Sequence, residues 1–267
     1  MTARPRGSLV IVGTGPGAPD LMTPATTRAI ARATDLVGYG PYLDRIPPGQ
    51  GDQTRHASDN RVELDRARLA LDLAAQGRDV AVVSGGDPGV FAMAAAVFEA
   101  IEKGDPCWAS LDIRVEPGVT AMLAAAAAVG APLGGDFCAI SLSDNLKSWT
   151  TIERRLVAAA EGDFVIALYN PASRARPHQL GEALRVLSAR KPLSTPVLFV
   201  RAAGTPDCRV IEATLGNVDP GKADMRTLVI VGASTTRRVG RWIYTPRREG
   251  ERTSASQRKA SSGLLTT

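Results

Sequence analysis

The sequence predicts an α/β protein in two α/β domains with mainly parallel sheets, and three observations carry that expectation. Short apolar, β-branched runs alternate with helical stretches along most of the chain. The runs are almost continuously apolar, as strands covered by helices on both faces must be. A Gly/Pro stretch, "VGAPLGGD", divides them into two groups, placing a boundary near residue 132. The expected units are residues 1–132 and 133–248, followed by a disordered tail at 249–267.

The candidate strands before the break are "SLVIVG", "TDLVGY", "DVAVVSG" and "DIRVEP". After it come "FCAISLS", "DFVIALYN", "TPVLFVRAA", "RVIEATL" and "TLVIVGA". Between them lie helical stretches such as "RVELDRARLALDLAAQG", in which Val62, Leu64, Ala67, Leu71 and Ala74 fall near helical spacing before Gly77. The last two strands are joined by a short polar segment without a helix, which predicts an antiparallel pair.

Composition narrows the class. Of 267 residues, three are cysteines, Cys107, Cys138 and Cys208, and two are histidines, His56 and His178. An odd, scattered cysteine set suggests neither disulfides nor a metal clip, so a cytosolic protein without a metal is expected. The longest weakly polar run, "AMLAAAAAVGAPL", is too short to span a bilayer. No signal-peptide pattern precedes the first strand. The net charge of +5 is concentrated at the end of the chain: residues 237–267 hold eight Lys/Arg against two Asp/Glu, and the remainder holds 24 against 25. That tail is polar and aperiodic, the composition of disorder rather than of a nucleic-acid-binding module.

"LVIVGTGPGAPDLMT" meets the spacing of a dinucleotide fingerprint at Gly13, Gly15 and Ala18. That fold needs a helix starting at the loop, and Pro16, Pro19 and Pro24 forbid it, each costing roughly 3 kcal/mol inside a helix. The better start is Thr23 as N-cap with Pro24 in the first turn. The acid that would hold a ribose is also misplaced, since Asp35 precedes its strand. Pro-Gly loops recur instead at "GTGPG", "GGDPG" and "EPG", and "VIALYNPAS" ends in Asn170-Pro171. Several such loops on one sheet edge predict a shared pocket rather than separate turns.

These loops, "VGTGPGAPDLMT", "SGGDPGVF", "EPGVTA", "LYNP" and the late "TLVIVG", resemble in order those of the tetrapyrrole (corrin and porphyrin) methyltransferases. The resemblance covers residues 8 to about 247. Within that family, "VGYGPYLD", "GAPLGGDFCAISLSDNL" and "ALYNPASRAR" are most similar to members that methylate C17 of precorrin-3B and contract its ring in cobalamin biosynthesis. The cobalt-loaded substrate of the anaerobic route, or methylation of another corrin-ring carbon, is the alternative. The resemblance implies S-adenosylmethionine as methyl donor, no metal, a tetrapyrrole substrate and a cytoplasmic homodimer without nucleic-acid or membrane partners. It places the donor in the cleft between domains, at Pro16, Gly85, Gly86, Asp87, Val90, Thr120, Ala121, Asn170, Gly204, Thr227 and Leu228. At the position after the last "IVG", polar in relatives, this chain has Ala233.

Transfer from a sulfonium is an in-line displacement that needs alignment and exclusion of water. Asp87 could accept from the donor or cap the helix that follows it. Cations should line the wall for the substrate's carboxylates, the candidates being Arg55, Arg61, Lys147, Arg174, Arg176 and Arg201. Arg174 and Arg201, with Ser141 and Ser143, are the expected substrate contacts. Ring contraction calls for a proton acceptor at a strand end facing the cleft, and Asp144, Tyr39 and Tyr42 are the candidates. Asp144 could equally cap the next helix.

Overall fold

The computed structural model describes residues 7–48, 53–59 and 62–248. The predicted tail and Arg61 lie outside the described residues.

The first sheet contains β1 (Ser8–Gly13), β2 (Asp35–Tyr39), β3 (Thr54–Ser58), β4 (Val80–Ser84) and β5 (Asp112–Glu116), in the order β3-β2-β4-β1-β5. All its ladders are parallel. The helices α1 (Pro24–Arg32), α2 (Gly40–Leu43), α3 (Glu63–Ala75) and α4 (Met93–Lys103) belong to this unit. The period of two along each strand divides the core: Leu9, Ile11, Val80 and Val82 pack on α3 and α4. Their neighbours Val10, Val12, Ala81 and Val83 face Ile30 and Leu43 on the other side. α1 begins as expected, with Thr23 Oγ1 accepting from Thr26 N at 3.1 Å and Pro24 in the first turn.

α5 (Ala121–Val129) and the two-residue β6 (Gly130–Ala131) lead to the second sheet. That sheet holds β7 (Phe137–Ser141), β8 (Val165–Tyr169), β9 (Pro196–Arg201), β10 (Arg209–Thr214) and β11 (Thr227–Val231), in the order β10-β9-β11-β8-β7. α6 (Trp149–Glu161) and α7 (Gln179–Ser188) cover one face through Ile152, Leu156, Leu180 and Leu184. α5 covers the other, its Ala124, Ala125 and Val129 against Val165, Leu198, Leu228 and Ile230. The chain therefore passes from one core to the other ahead of α5. The small strands β12 (Arg237–Val239) and β13 (Trp242–Tyr244) form a hairpin that pairs with β6.

The α/β layering matches the expectation, but the second sheet is mixed. Only β7 and β8 run parallel; the β8–β11, β11–β9 and β9–β10 ladders are antiparallel. The β9–β10 connection, residues 202–208, holds no crossover of the kind a parallel pair requires. Residues 215–226 run back along the sheet, so that β11 starts at the same end as β10 and pairs antiparallel with β9 and β8. The expected antiparallel pairing of β10 with β11 is also corrected, since β9 lies between them and pairs with both.

Candidate active site

The carboxyl edge of the first sheet is built from backbone packed on backbone. Gly15 N donates to the Gly86 carbonyl at 3.1 Å, and Gly86 N donates to that of Gly15 at 2.8 Å. The loop after β5 closes on both: a Cβ on Gly118 would collide with the Gly86 carbonyl and lie 2.8 Å from that of Gly13. Asp87 pins the arrangement, its Oδ1 accepting from Gly89 N at 2.8 Å and its Oδ2 from Gly118 N at 3.0 Å. α4 starts only at Met93, so Asp87 does not cap it.

Gly86 is different from its neighbours. It adopts φ +66°, and a Cβ there would meet nothing nearer than Thr120 Cα at 3.7 Å, Ala121 N at 3.9 Å and Val119 O at 4.0 Å. A methyl at Gly86 would thus touch "GVTA" at ordinary contact distance without colliding. Val90 follows in a turn, donating its N–H to the Asp87 carbonyl at 3.2 Å.

The second sheet presents one edge to this side. β7, β8 and β9 end there at Ser141, Tyr169 and Arg201, while β10 and β11 run the other way and begin there. Thr227 pairs with Arg201, so it is the amino end of β11 that joins the edge. Ala233 lies past the opposite end of β11, buried, with its N–H given to Thr236 Oγ1 at 2.8 Å. The position after "IVG" therefore lies away from this edge.

The contacts between the units include those of Ala18 and Phe91, and the Tyr169 hydroxyl ties the start of α5 to β8. Ala18 N donates to the Gly204 carbonyl at 3.0 Å, next to Pro16. Phe91 meets Tyr169 edge-on, their ring centroids 5.1 Å apart. The Tyr169 hydroxyl lies 2.6 Å from Thr120 Oγ1 and accepts from Met122 N at 3.0 Å. Burial pushes the Tyr169 phenol above its ordinary value, more than these hydrogen bonds offset, so it acts as a neutral clasp. Asn170 turns back on Ser141, Nδ2 donating to Oγ at 2.9 Å, and Ser143 N donates to the same oxygen at 3.3 Å.

The expected cations separate into different environments. Arg55 donates to the carbonyls of Leu43, Ile46 and Pro47, which makes it a clamp on the turn after α2 rather than a pocket charge. Arg201 is matched by Asp224 at 2.7 Å. Arg176 donates to the Asn170 carbonyl at 3.2 Å, and Arg174 is exposed on the same loop. Burial pulls the Lys147 ammonium below its usual range, helped by Arg155.

Asp144 sits in a shallow groove with Trp149, His178, Gln179 and Glu182, its Oδ2 accepting from Gln179 Nε2 at 3.1 Å. It does not cap α6; Ser148 does, accepting from Thr151 N at 3.3 Å. Tyr39 and Tyr42 form an edge-to-face pair at 5.3 Å, with Tyr42 packed over Gly85. Residue reading missed Tyr169 as the clasp, although an aromatic at a strand end directly before Asn170-Pro171 was the available signal. Among the described residues no group of three or more His, Cys, Asp or Glu is placed to hold a metal. No helix among them is long and apolar enough to cross a membrane.

Comparison with known proteins agrees with this arrangement. The profile of the Tetrapyrrole (Corrin/Porphyrin) Methylases matches residues 8–219. A precorrin-3B C(17)-methyltransferase of a Sinorhizobium species is 59% identical over 246 residues, covering 90% of this chain and 96% of that protein. A probable cobalt-factor III C(17)-methyltransferase of Salmonella typhimurium is 41% identical over 239 residues, covering 90% of this chain and 98% of the relative. The crystal structure of the methyltransferase CobJ superimposes with a TM-score of 0.88 at 55% identity, over 90% of this chain and all of that one. The chain belongs to the tetrapyrrole (corrin/porphyrin) methylase family.

Proposed function

We propose that this protein transfers a methyl group from S-adenosylmethionine to C17 of precorrin-3B in cobalamin biosynthesis, with contraction of the ring to precorrin-4. The observation that carries the reading is the meeting of loops from both sheets, with Gly15 on Gly86, Ala18 on Gly204, and Tyr169 on Phe91 and Thr120. Support comes from the 59% identity to the precorrin-3B enzyme along nearly its whole length.

The donor supplies a methyl on a sulfonium, ready for in-line displacement. Pro16, Gly85, Gly86, Asp87, Val90, Thr120 and Ala121 from the loops after β1, β4 and β5 would hold it. Asn170, Gly204, Thr227 and Leu228 would close over it from the second sheet. Backbone at Gly86 gives the close approach, and Asp87 acts by fixing the loops, since both its oxygens already accept backbone N–H groups. The chain's task is alignment and exclusion of water. Ser141, Ser143, Arg174 and Arg201 remain the proposed substrate contacts. The same reading carries a cytoplasmic homodimer, which sedimentation equilibrium checks.

The test is mass spectrometry of the products formed from purified protein and donor, with precorrin-3B and cobalt-factor III in parallel. Methylated, contracted product from precorrin-3B is expected; turnover of the cobalt-loaded substrate alone would replace this reading with the anaerobic one. Calorimetry should show S-adenosylhomocysteine binding and no NADH binding.

For the contraction we propose Asp144 as proton acceptor, with Tyr39 and Tyr42 as the other candidates. Asp144→Asn should keep donor and tetrapyrrole binding while slowing contraction by about 10²-fold, the usual scale for a lost general base. Single-turnover absorbance and product mass read this directly. Wild-type contraction in the folded variant would leave Asp144 only its bond to Gln179.

A further inference from the structure

We infer that Arg45, carried on the ring of Tyr42, is a specificity-determining cation that receives a carboxylate side chain of the tetrapyrrole at the mouth of the cleft. The inference rests on the tetrapyrrole reading above and adds a substrate contact to it.

The placement is the first argument. The Arg45 guanidinium carbon lies 5.4 Å from the centroid of the Tyr42 ring, within cation–π range. The Tyr42 ring in turn lies over Gly85, where an added Cβ would fall 2.7 Å from Cζ. Arg45 Nη1 also stands 3.8 Å from where a Cβ on Gly17 would point, and that same point is 2.7 Å from Thr205 Cγ2 of the second unit. Arg45 is therefore held where the loops after β1, β2 and β4 meet the loop after β9. Two of them, the loops after β1 and β4, carry the Gly15–Gly86 pair, so Arg45 stands on the same carboxyl edge.

The second argument is charge. Arg45 is exposed and has no carboxylate within ion-pair distance among the described residues. Arg201 is matched by Asp224, and Arg55 is spent on three carbonyls. A guanidinium fixed over an aromatic face loses little freedom on binding and keeps its fork for a carboxylate. Tyr39, edge-on to Tyr42 at 5.3 Å, holds the platform from behind. The platform also gives the "VGYGPYLD" segment, with the arginine that follows it, a physical task.

The experiment measures tetrapyrrole and donor separately for Arg45→Ala, Arg45→Lys and Tyr42→Leu. Arg45→Ala should raise the KM for precorrin-3B about 10-fold or more, as expected for loss of a charge-assisted hydrogen bond. Its affinity for S-adenosylhomocysteine by calorimetry should stay within about twofold of the wild type. Arg45→Lys should recover part of the loss, because charge returns without the planar fork. Tyr42→Leu with Arg45→Ala should cost less than the two single effects combined, since the ring acts through the cation. Raising the salt concentration should weaken substrate binding more in the wild type than in Arg45→Ala.

A parallel binding arm uses uroporphyrin III, a polycarboxylate tetrapyrrole, followed by absorbance. If the wild type fails to turn over precorrin-3B yet binds uroporphyrin III in an Arg45-dependent way, the functional reading falls and this inference stands. If the wild type is active and folded Arg45→Ala keeps its KM, the inference falls alone. Equal losses of donor and substrate affinity would also overturn it. Should Arg45→Ala fold poorly by circular dichroism, Arg45→Gln and Arg45→Lys carry the same comparison.

Discussion

Gly118→Ala should abolish donor binding and lower the unfolding free energy by about 3 kcal/mol, the upper range for forcing extra volume into close packing. The added methyl would collide with the Gly86 carbonyl and stand 2.8 Å from that of Gly13. Neither neighbour is a side chain that can swing away; both are backbone at the ends of buried strands. Relief requires the loops after β1 and β4 to separate, and with them the paired hydrogen bonds of Gly15 and Gly86. Gly86→Ala is the informative contrast. Its methyl has space, the nearest atom being 3.7 Å away, and its cost is the left-handed φ of +66°, about 1 kcal/mol. Stability should therefore drop modestly while donor affinity collapses, because the methyl would occupy the space assigned to the ligand. Urea unfolding and calorimetry with S-adenosylhomocysteine read the two quantities. Native stability in Gly118→Ala, or normal donor affinity in folded Gly86→Ala, would show that these loops are turns without a ligand.

The sequence made the buried strands legible because their central residues run apolar without a break, as in "LVIV" of β1 and "LVIV" of β11. It concealed β3, whose "TRHAS" is polar and mostly exposed, since an edge strand needs no apolar alternation. It concealed the direction of β9, β10 and β11, because apolar runs report burial and not polarity. Connection length carried that information for β10 alone, through the short segment 202–208. At the site, the Pro-Gly loops stood out because close backbone approach demands glycine. Tyr169 did not, because its role depends on Thr120 and Met122, more than forty residues away in the chain. Arg45 was absent from the expected cations because a tyrosine three residues before an arginine does not by itself mark a site. Its stacking on Tyr42 is local, and its place beside Gly17 and Thr205 is tertiary.

Asp35→Ala should cost about 2 kcal/mol of stability and remove part of the protein's sensitivity to acid. Asp35 opens β2 at the end of the first sheet opposite the glycine loops, and its side chain is 2% exposed. Its Oδ1 accepts from His56 Nε2 at 2.8 Å; its Oδ2 accepts from Arg78 Nε at 2.6 Å and Thr34 Oγ1 at 2.7 Å. Burial alone would raise this carboxyl, but the hydrogen bonds from Arg78, His56 and Thr34, with the Arg78 charge, outweigh it and hold it below the usual range. A carboxylate depressed in the folded state stabilises the fold above its unfolded value, about 3.9. That contribution is lost as the pH falls through the lower, folded value. Wild-type protein should therefore lose stability steeply below about pH 4. Asp163, held low by hydrogen bonds from Lys191 and Ser234, and Asp224, held low by those from Thr227 and Arg201, add to that slope. Asp35→Ala starts lower at pH 7 and should show a shallower fall, because one of the protons taken up on unfolding has been removed. Since His56 and Arg78 are partly exposed, neither is stranded as a buried charge by the change. Donor affinity in the folded variant should be preserved, the cluster lying at the far end of the sheet from Gly86. Urea titrations between pH 7 and pH 3 test this: identical pH slopes for wild type and Asp35→Ala would mean that the carboxylate is not linked to folding.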